Sequence, residues 1–444
     1  MDGGVTKGVP VGSDRVAPLD VNLSRALVEA ERCLYCFEAP CAEACPVHID
    51  VPGFIKRLKE QNFAGSHRLL VESNPLATVC GLVCPTEELC EGACVLQKTG
   101  QTPIRIGMLQ YFAARQLQDQ EPLTTADAPG VVAVVGGGPS GIGCAVVLRR
   151  LGREVHLYEQ STSLGGLMGR VIPAYRLPAR AVAHDLARLK DSGIVFHLGT
   201  EINESLVEEI LDDFDAVFLG IGLEKTADLH VPGHDLEGVR SVLPHLEQVR
   251  LHALGEAAAP ALGETTVVVG GGNVAVDAAL TAKQLGVERS IILYRRTLEE
   301  MPAWRDEYLE AVKLGVEFRW LTTVGAIRGE NGRVQRVEVR PMRRVGVGPD
   351  GRRGVEPDPR ADAYEIPCDS VIIALGQRLD RALAESLELS VTKDGTIEVD
   401  PDSFRTSHPK VFAAGEVASG GSTVVRSLAR GMEAGRRINQ HLLA

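Results

Sequence analysis

Two stretches of this chain repeat one pattern: a short valine-rich strand, a glycine turn, then a helix. The first runs from Val131-Val132-Ala133-Val134-Val135 into Gly136-x-Gly138-x-x-Gly141; the second spans Thr266 to Leu285 around Gly270-x-Gly272-x-x-Ala275. This is the opening of a nucleotide-binding βαβ unit, so it restricts the fold severely. The first glycine permits the tight turn. The second lets a pyrophosphate approach backbone N–H groups at the helix N-terminus, and the third allows close helix packing, a place where alanine is also tolerated. Two such units in 444 residues point to an α/β protein of several domains, two of them Rossmann-like.

The residues downstream of each loop distinguish the two units. After the first, the strand Glu154 to Tyr158 ends in Glu159, eighteen residues past Gly141. A carboxylate there can hold ribose hydroxyls. Gly165-Gly166, shortly after, is typical of flavin rather than nicotinamide domains. After the second, the strand Ser290 to Tyr294 runs into Arg295-Arg296, with no acid where a ribose 2′-hydroxyl would need one. Arginine can pair a 2′-phosphate, which favours NADP over NAD; the alternative is a solvated arginine pair at a strand end. Near the C-terminus, Val411 to Gly415-Glu416 reads as a strand ending in an acid, and Gly420-Gly421-Ser422-Thr423 opens a helix. That helix N-terminus can stabilise negative charge on a reduced flavin, unless it is an ordinary strand–turn–helix connection.

Eight of the ten cysteines lie between Cys33 and Cys94. They read Cys33-x2-Cys36-x4-Cys41-x3-Cys45-Pro46, then Cys80-x3-Cys84-Pro85-x4-Cys90-x3-Cys94. Thiolates suit soft iron, and a closely spaced set such as Cys33, Cys36 and Cys41 can grip three corners of a cubane. A cysteine before proline, like Cys45, reaches across to the other cluster in two-cluster ferredoxins, although the x4 gap here departs from a plain ferredoxin. Structural zinc is the competing reading, but zinc sites usually pair C-x2-C units and only one such unit exists here. The region between Leu23 and about Gln120 reads as mostly helical, with spacings of three and four in Leu27 to Cys33, Val51 to Gln61 and Ile104 to Leu117. Cys144 and Cys368 read as buried packing residues, and the eleven histidines form no metal or triad constellation.

Acidic residues outnumber basic ones, 59 to 47, with no basic block, which argues against a nucleic-acid surface. No apolar run reaches the ~18 residues of a membrane span, and clustered cysteines suggest metal or redox chemistry in the cytoplasm rather than disulfides. The expected organisation is a flexible arm at 1–22, a helical two-cluster iron–sulfur domain at 23–126 and an FAD domain in two segments, 127–262 and 369–444, with the NAD(P) domain at 263–368 inserted between them. Within the insert, Arg343 to Asp362 is charged and rich in glycine and proline, and reads as a surface excursion.

The combination resembles the flavin–iron-sulfur family that includes the small subunit of glutamate synthase and the electron-input half of dihydropyrimidine dehydrogenase. The shared marks are Cys33-Leu-Tyr-Cys36, Cys84-Pro85, Gly136-Gly-Gly-Pro-Ser-Gly141, Ile172-Pro-Ala-Tyr-Arg176-Leu-Pro, Tyr294-Arg-Arg and Gly415-Glu416, spanning about Ser24 to the end. The family usually has aspartate where Glu416 stands. The resemblance implies one 4Fe-4S cluster on Cys33, Cys36, Cys41 and Cys94, and another on Cys45, Cys84, Cys90 and the side-chain oxygen of Gln110, leaving Cys80 a bystander. Glutamine at this place is similar to dihydropyrimidine dehydrogenase; glutamate would look more like glutamate synthase. Implied FAD contacts are Gly136, Gly138, Pro139, Ser140, Gly141, Glu159, Gly166, Leu167, Arg176, Ile202, Gly415, Glu416, Thr423 and Val424. Implied nicotinamide contacts are Gly270, Gly272, Asn273, Val274, Ala275, Arg295, Arg296, Leu375 and Gly376.

Nicotinamide delivers a hydride, a cluster takes one electron, and flavin can do both, so NAD(P)H to FAD to clusters is the expected order. Hydride transfer strictly needs no acid–base side chain, and none is assigned as catalytic. No site for a pyrimidine or for amide hydrolysis is visible, so the expectation is an electron-input subunit working in a hetero-oligomer with an FMN-containing catalytic subunit, of the dihydropyrimidine dehydrogenase type. The alternatives are the NADPH-oxidising small subunit of glutamate synthase or a related reductase, and a redox-sensing zinc module.

Overall fold

The computed structural model describes residues 21–117, 127–347 and 353–444, and the expected N-terminal arm lies almost wholly outside them. The chain forms two compact units. One comprises Lys225–Gln377 with Val171–Pro173; the other comprises Ala174–Glu224, Arg378–Ala444 and the described residues up to Arg170.

The larger unit holds the cysteine-rich helices and the first glycine loop. Its early helices include Leu23–Glu31, Val51–Lys59 and Phe63–Ser73, and each begins where an Asn or Asp side chain accepts a backbone N–H: Asn22 from Arg25, Asp50 from Gly53 and Asn62 from Gly65, all at 2.9 Å. Two further helices, Ala77–Val83 and Ile106–Ala114, form the centre, and every residue of the second is buried. They cross so closely that a Cβ on Gly81 would lie 2.7 Å from the Tyr111 backbone nitrogen. The expectation of helices in this region holds.

Beside these helices stands a five-stranded parallel sheet in the order Val411–Ala413, Ala216–Leu219, Val131–Val135, Glu154–Glu159, Val195–Leu198. Strands buried on both faces need continuous apolar runs, and Ala216–Leu219 is buried at every position. One face packs on helix Pro139–Arg150, against which the C-terminal helix Val424–His441 lies.

The smaller unit repeats the plan. Its five parallel strands run Val239–Ser241, Ser370–Ile373, Thr265–Val269, Arg289–Tyr294, Glu317–Trp320, and helix Asn273–Gln284 follows the second glycine loop. The strand Val239–Ser241 lies at the sheet edge, well before the 263 at which the inserted domain was expected to open. An antiparallel sheet of Thr322–Glu330, Arg333–Val347, Arg353–Pro357 and Tyr364–Pro367 is appended. The described part of the charged stretch after Arg343 contributes to two antiparallel strands, Arg333–Val347 and Arg353–Pro357, with Arg343 and Glu356 paired across them. Among the described residues, no helix is long and apolar enough to cross a membrane.

Candidate functional site

Cys33, Cys36, Cys41 and Cys94 line one open cavity, walled otherwise by apolar side chains such as Val51, Ile55, Leu96 and Ile106. Their thiols sense one another. Burial, then Cys36 and Cys94, raise Cys33, and burial, then Cys33 and Cys94, push Cys41 up to about 11. The loop that carries the first three, from Cys33 to Cys41, is tightly wound, with positive φ at Tyr35 and Ala39. Among the described residues, no three His, Cys, Asp or Glu side chains converge closely enough to grip a single ion. Four sulfurs around one cavity offer soft donors of the kind that hold iron in a cubane.

A second group is Cys45, Cys80, Cys84 and Cys90. Cys84 is raised first by a hydrogen bond with Cys80, then by burial and by the nearness of Cys80, Cys90 and Cys45. Burial comes first for Cys90, which also feels Cys45 and Cys41, so the two groups adjoin. Gln110 is buried, and its Nε2 donates to the Ala77 carbonyl at 2.8 Å; among the described residues its Oε1 accepts no hydrogen bond. The family resemblance leaves Cys80 a bystander, yet it stands one helical turn from Cys84 on Ala77–Val83.

At the first glycine loop, Gly136 has φ +103° and donates to the Tyr158 carbonyl at 2.8 Å, turning the chain at the strand end. A Cβ on Gly141 would lie 1.8 Å from the Gly136 oxygen, so only glycine fits. Gly138 precedes Pro139 at the helix start. Glu159 is buried, and its carboxylate accepts Gly137 N–H at 2.7 Å and Ser161 N–H at 2.8 Å. Each oxygen keeps a further lone pair, so the acid clamps the loop and can still meet a ribose. The Gly165-Gly166 turn reaches the same place, since Gly165 N–H donates to the Gly137 carbonyl at 2.9 Å and leads into the short helix with Leu167. The C-terminal segment closes the other side: Ser140 Oγ donates to the Ala414 carbonyl at 2.9 Å, and Gly415 has φ +83°. Glu416 accepts Ser422 N–H at 2.9 Å, and burial raises its carboxyl above the usual range. Thr423 caps the helix that begins at Val424 by accepting Arg426 N–H at 3.3 Å. Ile202 packs at the margin of the core under this sheet, and Arg176 belongs to the same unit.

At the second loop Gly270 has φ +143°, and a Cβ there would strike the Ala374 oxygen at 2.2 Å. Gly272 ends the turn, and the buried Ala275 sits in the first turn of the helix with Val274 before it. Asn273 Oδ1 accepts Trp304 N–H at 2.8 Å. The two arginines part company. Arg296 donates to the Arg353 carbonyl at 3.3 Å, whereas Arg295 is exposed and, among the described residues, has no partner. Arg344, from the appended sheet, donates to Thr297 Oγ1 at 2.7 Å in the same turn, a third cation that no local spacing announces. Leu375 is exposed and Gly376 has φ +111° just past the Ser370–Ile373 strand. Both loops thus sit at the carboxyl ends of parallel strands, where open α/β sheets bind ligands.

Fold and site define a flavin-dependent pyridine nucleotide oxidoreductase that carries iron–sulfur ligation in the same chain. The chain belongs to the pyridine nucleotide-disulphide oxidoreductase family, whose profile matches residues 94–213 and 204–435; the profile of dihydropyrimidine dehydrogenase domain II, 4Fe-4S cluster, matches residues 15–122. It is 33% identical to the glutamate synthase [NADPH] small chain of Halomonas elongata over 94% of this chain and 91% of that protein. It is 32% identical to the NAD-dependent dihydropyrimidine dehydrogenase subunit PreT of Escherichia coli over 97% of both chains. Mycobacterium tuberculosis FprA in complex with NADPH shares the fold, with a TM-score of 0.61 and 18% identity over 71% of this chain and 85% of FprA. The protein is an NAD(P)H-dependent oxidoreductase with FAD and 4Fe-4S cofactors, as the sequence led us to expect.

Proposed function

We propose that this chain is the electron-input subunit of a hetero-oligomeric dihydropyrimidine dehydrogenase in the cytoplasm, working with an FMN-containing catalytic subunit that reduces uracil or thymine. When bound, FAD would supply the conversion of one hydride's electron pair into single electrons that clusters can carry. The chain's own residues hold these groups in place. Gly136, Gly138 and Gly141 leave room for the FAD pyrophosphate at the helix N-terminus, Glu159 fixes that loop, and Arg295 offers an exposed cation to a 2′-phosphate. Cys33, Cys36, Cys41 and Cys94 would hold one cluster; Cys45, Cys84, Cys90 and the oxygen of Gln110 would hold the other.

The observation that carries the dihydropyrimidine reading is Gln110, a buried neutral amide bonded to the Ala77 carbonyl of the helix that bears Cys80 and ends at Cys84. A neutral oxygen ligand in place of a thiolate changes the charge, and hence the potential, of a cluster. The second reading, the NADPH-oxidising small subunit of glutamate synthase, is favoured by the identity to that small chain. Purifying the complex and assaying it with uracil, then with glutamine and 2-oxoglutarate, separates them. Uracil reduction by an FMN-bearing partner is the expected result; a large amidotransferase partner would overturn it.

A further inference from the structure

The cysteine-bearing helices meet the flavin-binding part of the same unit through helix ends. Asp185, on helix Ala179–Ala187 of the flavin part, is fully buried. Its carboxylate accepts the N–H groups of Val79 at 2.9 Å and Thr78 at 3.3 Å, in the first turn of the helix Ala77–Val83. That helix has no cap of its own, since the residue before it is Leu76. The cap therefore comes from more than a hundred residues away.

Neighbouring contacts repeat the logic with the opposite polarity. Arg150 donates to the carbonyls of Glu72 at 2.7 Å and Val71 at 3.0 Å, in the last turn of helix Phe63–Ser73. Arg188 reaches the Pro75 carbonyl at 3.2 Å, and the His184 ring reaches that of Ala114 at 3.1 Å, the last residue of helix Ile106–Ala114. Orphan N–H groups thus meet an anion and orphan carbonyls meet cations or a ring nitrogen, which is the arrangement that satisfies helix termini and their dipoles.

The Asp185 contact matters beyond stability because of what the short helix carries. Cys80 lies on it and Cys84 ends it, the Cys84 N–H donating to the Cys80 carbonyl at 3.1 Å. A helix this short, about 10 Å, moves as one body. Gln110 and Gly81 fix its flank within the cysteine region; Asp185 ties the N–H groups of its first turn to the flavin part, and Arg188 holds the Pro75 carbonyl just before it.

We propose that Asp185 is a positioning residue that sets where Cys84 and the cysteines around it stand relative to the flavin-binding sheet, and so governs the rate of electron transfer between them. The proposal rests on the reading of Cys84 as a cluster ligand. Electron transfer depends steeply on separation, and a displacement of about 1 Å is enough to slow a step that needs fixed geometry.

The test uses the full chain, purified anaerobically with its cofactors and mixed with NADPH in a stopped-flow instrument. Asp185→Asn should keep its FAD and iron, and bleach its flavin at the wild-type rate. Cluster reduction, followed by rapid-freeze electron paramagnetic resonance, should slow by about tenfold. In Asp185→Glu, where the charge is kept, the midpoint potential of the second cluster should stay within measurement error, which separates a change of distance from a change of driving force. Asp185→Glu, which keeps the charge but lengthens the arm, should slow the same step and serves if the asparagine variant does not fold. Unchanged cluster reduction with only a lower melting temperature, a slowed flavin step, or loss of iron would each overturn the proposal. A wild-type protein with no cluster signal would instead refute the ligand reading itself.

Discussion

The two glycine loops perform one task with different local chemistry. Both turn at a glycine of positive φ and end at a helix N-terminus. At the third loop position the first has Gly141, whose Cβ would lie 1.8 Å from the Gly136 oxygen, while the second accommodates Ala275, fully buried. At the end of the next strand the first has a buried acid clamped to its own loop, and the second an exposed arginine with no partner among the described residues. The backbone device recognises what all dinucleotides share, a pyrophosphate. Under the proposed function, the choice between nucleotides falls to one side chain at the strand end, Glu159 in the first unit and Arg295 in the second.

The largest break in this comparison comes from exchanging the third position. Gly141→Ala forces an atom into the Gly136 carbonyl and should cost about 3 kcal/mol, with loss of bound FAD measurable as absorbance per chain. Removing the acid is next: Glu159→Ala leaves the N–H groups of Gly137 and Ser161 without their carboxylate and should cost about 2 kcal/mol by thermal unfolding, with weaker FAD retention. Arg295→Ala should raise KM for NADPH by about tenfold and leave KM for NADH nearly unchanged, the size expected for one charge-assisted contact. Equal changes would remove the 2′-phosphate assignment. The smallest effect is the reverse exchange, Ala275→Gly, which only adds backbone freedom in a buried helix and should lower stability by about 1 kcal/mol with both nucleotides still bound.

Much of this architecture is legible in the sequence because its signals are local. A valine run followed by glycines marks each nucleotide unit, and the expected strand Val131–Val135 matches the structure residue for residue. Caps such as Asn62 lie within three residues of the N–H they satisfy. Edge strands are harder: Val239–Ser241 has three residues, and only its pairing with Ser370–Ile373 gives it meaning. Site residues divide the same way. Glu159 follows from its strand, but the engagement of Arg296 by the Arg353 carbonyl depends on a strand that begins 57 residues further along the chain. Asp185 looks like any surface acid of an amphipathic helix; only the tertiary fold buries it under Ala77–Val83. The family pattern gives Cys80 no role because a ligand set says nothing about the second neighbour of a thiolate, which the helical turn to Cys84 supplies.

The central claim is that sulfurs in the N-terminal helices hold iron within electron-transfer reach of the flavin. Protein isolated without oxygen, assayed for iron and acid-labile sulfide and then mixed with NADPH, tests it most directly. The account predicts about eight of each per chain, and a reduced-cluster resonance signal that trails flavin bleaching. Zinc in place of iron, or a flavin that bleaches while every cluster stays oxidised, would contradict it.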